Sequence, residues 1–373
     1  MRKSAWLAAL VLCATGAFAA ENQAYLGIFA ETRSQKMAGM PEMPALPPGI
    51  DPSMLGRIPG MAQMMGMGGA QRLLTVRLWS PGIAPANATA SIAPPAGLKQ
   101  EKRLDLGLYR PEAEGGEAAA PGEVDPDSIP DFTIKIYWGS SATVKPGQPV
   151  VFNWGKLTPE QKAAMREAQK QAQKGESYFY KPDWTTGYWP TGKQPGAVAP
   201  DAALAGTYAL TTSYTGNVTL DVPAGLNFLA PIELTSPKLS TPPALDGPLA
   251  LKWKAIPEVL GYHATIMGMQ GRNTLILWSS SEIQADMAMQ WDYLEMARVR
   301  ELVQSTAMMD GKRTAATVPA GIFKGCDMAH MTMVGYGPGV ARADTQPLPR
   351  LQTKTTLTVM LGGSAMAGMG AGE

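Results

Sequence analysis

The sequence predicts a mainly β protein of antiparallel β-sandwich domains, with one or two accessory helices and long loops rich in Gly, Pro and Met. Its 373 residues include 40 Gly and 32 Pro, and this density of turn formers favours short strands over long helices. Short segments such as 72–79 alternate apolar and polar residues, which is the pattern of a strand with one buried face. A chain of this length can also bury more than one core.

The N-terminus predicts export. Basic residues 2–3 precede an apolar stretch, and Ala17-Phe18-Ala19 has the small–x–small form of a cleavage site. We therefore expect residues 1–20 to be a signal peptide that is cleaved near Ala19/Ala20, and a mature protein in the periplasm or the extracellular space. Lipid attachment at Cys13 is the alternative, which the bulky residue before that cysteine disfavours.

Composition narrows the expected partners. The net charge is +1 and no basic run occurs, so nucleic acid is not an expected partner. After cleavage one cysteine remains, Cys326, so we expect no internal disulfide. No later segment has enough consecutive apolar residues to span a bilayer, and we expect no transmembrane segment in the mature chain.

Changes in composition divide the mature chain into segments. These are an N-terminal β region (21–110) with a Met/Gly/Pro-rich insert (37–70), an acidic linker (111–130), a β domain (131–236) with a surface helix (158–174), a second sandwich (237–362) with a helix (292–305), and a flexible tail (363–373). The two helices are predicted from capping boxes, Thr158 with Gln161 and Asp292 with Glu295.

Part of the second sandwich resembles a known fold. One strand ends at Trp253, Ile256-Pro257 opens a turn, and the next strand begins at Gly261-Tyr262. This order resembles the B-to-C region of fibronectin type III-like sandwiches. The resemblance implies an antiparallel sandwich over residues 237–362.

Three further features of the sequence support a second resemblance. They are a Met/Gly insert before a strand, Tyr137-Trp138-Gly139 followed by residues 146–150 (PGQPV), and residues 278–282 (WSSSE). With these features the chain resembles a group of exported, uncharacterised proteobacterial proteins in which Cys-Gly follows the Trp-Gly pair. Ser140 and Ser141 occupy that place here, and the resemblance implies no particular activity.

The Met-rich insert contains the first candidate metal site. Thioether sulfur is a soft ligand that suits Cu(I). The candidate ligands, spaced three residues apart in two groups, are Met37, Met40, Met43, Met61 and Met64. Two alternatives stay open, because methionine also serves as a flexible apolar filler and as an oxidation sink. We expect no cofactor, with copper as the alternative.

A second set of soft ligands lies close together near the C-terminus: Cys326, Met328, His330, Met331 and Met333. Strand alternation sends Met328 and His330 to one face and Met331 and Met333 to the other, so one side of the strand cannot offer all of them to one ion. The other histidine, His263, falls on a strand expected to be a neighbour, on the side away from the core. We expect ordinary strand packing here.

An aromatic run is the candidate binding surface. Its members, Tyr180, Trp184, Tyr188 and Trp189, lie in a stretch with Pro and Gly that reads as a loop, where function is often found. Flat rings of this kind can stack on sugars. The alternative is that they shield a sheet edge.

No catalytic motif emerges. The serines of the WSSSE motif lack a nucleophile elbow, and with two histidines on predicted strands a Ser-His-acid triad is not expected. We expect an exported, non-catalytic protein with a binding or structural role in the cell envelope, whose partner is an envelope protein or a glycan. The alternatives are a periplasmic copper-handling protein with methionine ligands and an envelope hydrolase.

Overall fold

The computed structural model describes residues 24–39, 69–110, 132–163, 184–191, 196–284, 293–342 and 349–362. Strands account for 48% and helices for 8%, which confirms the predicted mainly β class. The strands are β1 (Tyr25–Met37), β2 (Gln71–Ser80), β3 (Ala90–Ala93), β4 (Leu104–Asp105), β5 (Gly107–Tyr109), β6 (Thr133–Trp138), β7 (Val150–Asn153), β8 (Thr185–Trp189), β9 (Gly196–Val198), β10 (Gly206–Thr212), β11 (Val218–Val222), β12 (Leu234–Ser236), β13 (Leu249–Trp253), β14 (Gly261–Gln270), β15 (Thr274–Ser279), β16 (Met309–Asp310), β17 (Ala315–Val318), β18 (Cys326–Ala341) and β19 (Arg350–Leu361). Helix α1 spans Met296–Gln304, and short 3-10 helices span Ala96–Leu98 and Trp154–Lys156.

One large sheet organises the molecule. It has 12 strands, in the order β5-β8-β2-β1-β19-β18-β14-β15-β6-β7, with β9 beside β2 and β16 beside β14. Most pairs are antiparallel, but β1 runs parallel to β19 and β15 runs parallel to β6. The smaller sheets β11-β10-β3-β4 and β12-β13-β17 are separate from it. The strand at each end of the described chain therefore has the other as its neighbour within the large sheet.

Both smaller sheets pack on the same face of the large sheet, which we call the inner face. In the N-terminal core, Ile28 of the large sheet is buried with Leu210 of the four-stranded sheet. In the C-terminal core, Met331 and Leu357 are buried with Leu251 of the three-stranded sheet. The result is two sandwiches that share one continuous sheet.

The inner side of β19 shows where one core ends and the other begins. Leu351 belongs to the N-terminal core and Leu357 belongs to the C-terminal core. Between them the inward positions are Thr353 and Thr355, both buried. We call this boundary between the cores the seam.

Residues 226–232 cross the seam without forming a strand. Phe228 is part of the N-terminal core and Leu229 is part of the C-terminal core. The Thr32 hydroxyl donates a hydrogen bond of 2.7 Å to the Leu229 carbonyl oxygen, so a side chain of the large sheet anchors the crossing segment.

The opposite face of the large sheet, the outer face, is covered in one part and open in another. Val299 and Leu302 of α1 form a buried cluster with Tyr336 of β18. Near the start of β1, Phe29 and Trp79 form a second buried cluster of aromatic rings. Beyond these clusters, toward the ends of β18 and β19 that carry residues 326–332 and 358–361, the outward side chains are half-buried or exposed.

Several predicted element boundaries are wrong. The apolar residues of 227–237 predict one strand there, but only β12 pairs, because Pro231 lacks an N–H and the residues before it follow the seam. Helix α1 begins at Met296, not at 292, and Glu295 at its N-cap makes no side-chain cap bond. Asp292, its predicted cap, lies outside the described residues.

Strands from the three predicted β segments, 21–110, 131–236 and 237–362, all join the large sheet. The sheets therefore do not follow the predicted segment boundaries, because local patterns mark strands without showing which strands pair. Residues 1–20, 111–130 and 363–373 lie outside the described residues.

The predicted capping box of the surface helix is present. Gln161 Oε1 accepts a bond of 2.9 Å from the Thr158 backbone N–H, and Thr158 Oγ1 accepts one of 3.3 Å from the Gln161 N–H. The structure describes this helix over 159–163, and the rest of 158–174 lies beyond the described residues. Within the described parts of the chain, no helix has both the length and the apolar character needed to cross a membrane.

Candidate functional site

A cleft of about 430 Å³ opens at the seam. Its floor includes Thr32 and Arg72, which pair in register across β1 and β2 on the inner face. Pro200 lines it from the N-terminal sandwich, Phe228 from the crossing segment, and Glu258 from the turn between β13 and β14. Its volume lies within the range of small-molecule sites, which often occur where two domains meet.

Arg72 is the cationic group of the cleft, and two contacts fix its position. Its Cζ lies 5.2 Å from the centre of the Phe228 ring, and its Nη1 donates a hydrogen bond of 2.7 Å to the Ala202 carbonyl oxygen. A guanidinium carries five N–H donors in a planar fork that matches a carboxylate. The cleft thus places an anion-binding group against an apolar wall.

A row of soft side chains crosses the open part of the outer face. Met267 of β14 lies opposite His330 of β18, His330 lies opposite Met360 of β19, and Met360 lies opposite Met37 of β1. Met267 is 47% exposed, and the other three are partly exposed. Met37 is thus the one predicted insert ligand that the structure describes. The others, Met40, Met43, Met61 and Met64, lie outside the described residues.

The second predicted set of soft ligands is divided between the two faces, as the alternation indicated. Met331 and Met333 are fully buried in the C-terminal core, whereas Met328 is 52% exposed and His330 lies in the open row. Cys326 is buried in the same core, where burial raises the pKa of its thiol, as does the nearby Asp327 to a smaller extent. Among the described residues, no three His, Cys, Asp or Glu side chains form a metal site.

The two histidines lie on neighbouring strands but in different surroundings. His263 pairs with Val334, which packs against the α1 cluster. Burial lowers the pKa of His263 to about 4, so its imidazole is neutral at pH 7. His330 pairs with Met267, four residues further along β14 than His263, or roughly 13 Å. The two imidazoles therefore cannot bind the same ion.

The structure does not bring the predicted aromatic platform together. Trp184 is buried in the ring cluster of the outer face. Tyr188 pairs with Arg77, whose Cζ lies 5.9 Å from the ring centre, while Trp189 packs against the N-terminal core on the inner face. Tyr180 lies outside the described residues. The three described rings thus occupy three surroundings and offer no common stacking surface.

The two short motifs behind the family resemblance meet at one place. Trp278 Nε1 donates a hydrogen bond of 3.0 Å to the Gly139 carbonyl oxygen. Glu282 pairs with Lys145 at 2.5 Å and accepts a bond of 3.4 Å from the Ser140 N–H. Partial burial acts to raise the pKa of Glu282, but Lys145 and its other partners hold it below its usual value. These contacts tie the β6–β7 hairpin to the C-terminal sandwich.

The serines of the WSSSE motif are also bonded to the backbone. Ser280 Oγ accepts a bond of 2.9 Å from the Ala264 N–H, and the Ser281 hydroxyl donates one of 2.7 Å to the Ile283 carbonyl oxygen. Both serines are buried. Their geometry is that of structural hydroxyls, not of exposed nucleophiles.

Compared with known proteins, the chain matches no family model and no curated protein. Its function must be inferred from the seam cleft and the row of soft side chains. The residues central to both, Arg72, Met267 and Met360, are absent from the candidates that the sequence suggested. The sequence predicts that each of these three residues lies on a strand. It does not show which strands pair, and the pairing decides which side chains become neighbours.

Proposed function

We propose that the protein is an exported, non-catalytic binding protein whose ligand occupies the seam cleft and carries a carboxylate on an apolar body. The observation that carries this proposal is Arg72, held by Phe228 and Ala202 at the floor of the cleft. Its guanidinium binds the carboxylate, and Phe228 and Pro200 contact the apolar part of the ligand.

Other features support this reading. The form of residues 1–20 supports export to the periplasm or beyond. The three-stranded sheet β12-β13-β17 against β15-β14-β18-β19 supports the resemblance to fibronectin type III-like sandwiches, a scaffold suited to binding in the cell envelope. The serines and Glu282 of the WSSSE motif make structural bonds, which supports a role without catalysis.

The test is a pair of probes that differ in charge but not in shape. Thermal unfolding of the mature protein is measured with 3-phenylpropionate and with 3-phenylpropionamide. We expect the acid alone to raise the Tm, with a stabilisation of about 1.4 kcal/mol at ten times its Kd. Arg72→Gln removes this stabilisation. Arg77→Gln, on the same strand but on the outer face, is the matched control and keeps it.

Two results would contradict the proposal. One is an equal response to the acid and the amide. The other is an Arg72→Gln variant that folds, as judged by circular dichroism, and still responds to the acid as the unchanged protein does. Copper handling with methionine ligands is the second candidate function, because Met267, His330 and Met360 lie side by side on the open outer face.

A further inference from the structure

We propose that Met267, His330 and Met360 form a Cu(I) site on the open part of the outer face. The site is independent of the seam cleft, which lies on the other face of the same sheet. It is formed by three adjacent strands, β14, β18 and β19, each of which contributes one ligand.

The first step is placement. Both pairs, Met267 with His330 and His330 with Met360, are antiparallel partners in register, so the three side chains rise from the same face in one line. Direct partners have Cβ atoms about 5 Å apart, and the two methionine Cβ atoms are therefore about 10 Å apart with the imidazole between them. Methionine has flexible torsions, so both sulfurs can turn toward a point above the imidazole.

The second step is access. Met267 is 47% exposed, and Met269 and Met328, which flank the row, are 38% and 52% exposed. By contrast, α1 and its buried cluster cover the part of the outer face near Tyr336 and His263. Among the residues that the structure describes, no buried element covers the row, so an ion can reach it from solvent.

The third step is ligand chemistry. Two thioethers and one imidazole make a neutral set with no hard oxygen ligand, which favours Cu(I) over Mg²⁺, Ca²⁺ or Mn²⁺. The next outward residues on these strands are Thr265, Thr332 and Thr358 on one side of the row and Met269 and Met328 on the other, and none of them adds a charge. The set therefore favours a soft ion such as Cu(I) over these hard cations.

The fourth step concerns Met37 on β1, the fourth strand that the row crosses. Met37 lies beside Met360 in the same row, but it is three strands away from Met267, or roughly 15 Å. One ion cannot bind both ends of the row. Met37 can replace a ligand on the Met360 side, so we place it as an exchange ligand and not as part of the primary set.

The test is anaerobic titration of the full mature chain with Cu(I) in competition with the chromogenic chelator bicinchoninate. Loss of supporting groups around a metal already costs about 10–100-fold in affinity, so loss of a ligand should cost at least about 100-fold. We expect this loss for His330→Gln and for the double variant Met267→Leu/Met360→Leu. X-ray absorption of the loaded protein should show one nitrogen and two sulfur ligands.

Two control variants separate the row from other methionines. Met331→Leu, one residue from His330 but buried on the inner face, is a volume-conserving change and should leave the affinity unchanged. The variant Met40→Leu/Met43→Leu/Met61→Leu/Met64→Leu tests the insert, and it should also bind Cu(I) as the unchanged protein does. The proposal is overturned if the row variants fold and bind normally, or if the insert variant alone loses the ion.

Discussion

The two faces of β18 and its neighbours use the same residue type in opposite ways. Met331 and Met333 are fully buried and join the C-terminal core, whereas Met328 is 52% exposed and Met267 is 47% exposed. Methionine is apolar enough to fill a core and its sulfur is soft enough to bind a metal. Whether a given methionine stabilises the fold or meets solvent is decided here by whether its position along the strand is odd or even.

The largest expected effect tests this difference directly. Met333→Ala removes a fully buried side chain and should lower the free energy of unfolding by about 2–5 kcal/mol. Met267→Ala changes an exposed side chain on the paired face and should cost less than about 0.5 kcal/mol. Urea unfolding with an unchanged m-value gives both numbers. Equal costs for the two variants would contradict the assignment of the faces.

The next effect concerns His263, which lies in the covered part of the outer face, and it appears in how the free energy of unfolding depends on pH. Because burial lowers the pKa of His263 to about 4 from an ordinary value near 6.5, the unfolded chain takes up a proton first as the pH falls. The stabilisation is complete above about pH 6.5 and is lost toward pH 4. It amounts to roughly 2 kcal/mol between pH 7 and pH 5.

His263→Gln should therefore flatten the plot of unfolding free energy against pH between about 6.5 and 4. Met333→Ala is the control, because it destabilises the protein without removing a titrating group and should keep the slope. An unchanged slope in the His263→Gln variant would show that another group is responsible.

The smallest effect concerns the edge of the large sheet. Glu282 joins Lys145 and lies 3.6 Å from Arg313, but all three side chains are about one-third exposed. Glu282→Gln keeps the shape and removes the charge, and should cost about 0.5–1 kcal/mol. Repeating the unfolding measurement in 1 M salt should shrink the difference, since ions screen exposed pairs. A cost near that of Met333→Ala would contradict this ranking, because the ion pair would then contribute as much as a buried core side chain.

The sequence alone was enough to predict on which face of a strand each side chain lies. Alternation correctly separated Met328 and His330 from Met331 and Met333, and it placed His263 on the face away from the C-terminal core. The capping box of Thr158 and Gln161 was also predicted correctly. These features depend on residues within a few positions of one another, where periodicity and local hydrogen bonding are decisive.

Pairing between distant strands could not be predicted in this way. His330 lies beside Met267 and Met360 only because of the registers of three strands, and a shift of one residue would send a strand's side chains to the opposite face. Arg72 becomes a cleft residue only through its pairing with Thr32 and the crossing of Phe228 above it. The candidate sites are therefore products of topology, which a single sequence does not encode in any local window.

The parallel pairing of β1 with β19 has a consequence for biosynthesis. These strands are more than 300 residues apart in the chain, so their pairing raises the contact order of the fold. We therefore expect the two strands to pair late in folding. Until the ribosome has released β19, β1 has an unpaired side and the C-terminal core lacks Leu357. A chain of this design must be kept from aggregating through its open strand edges until translation is complete, a task suited to a holding chaperone.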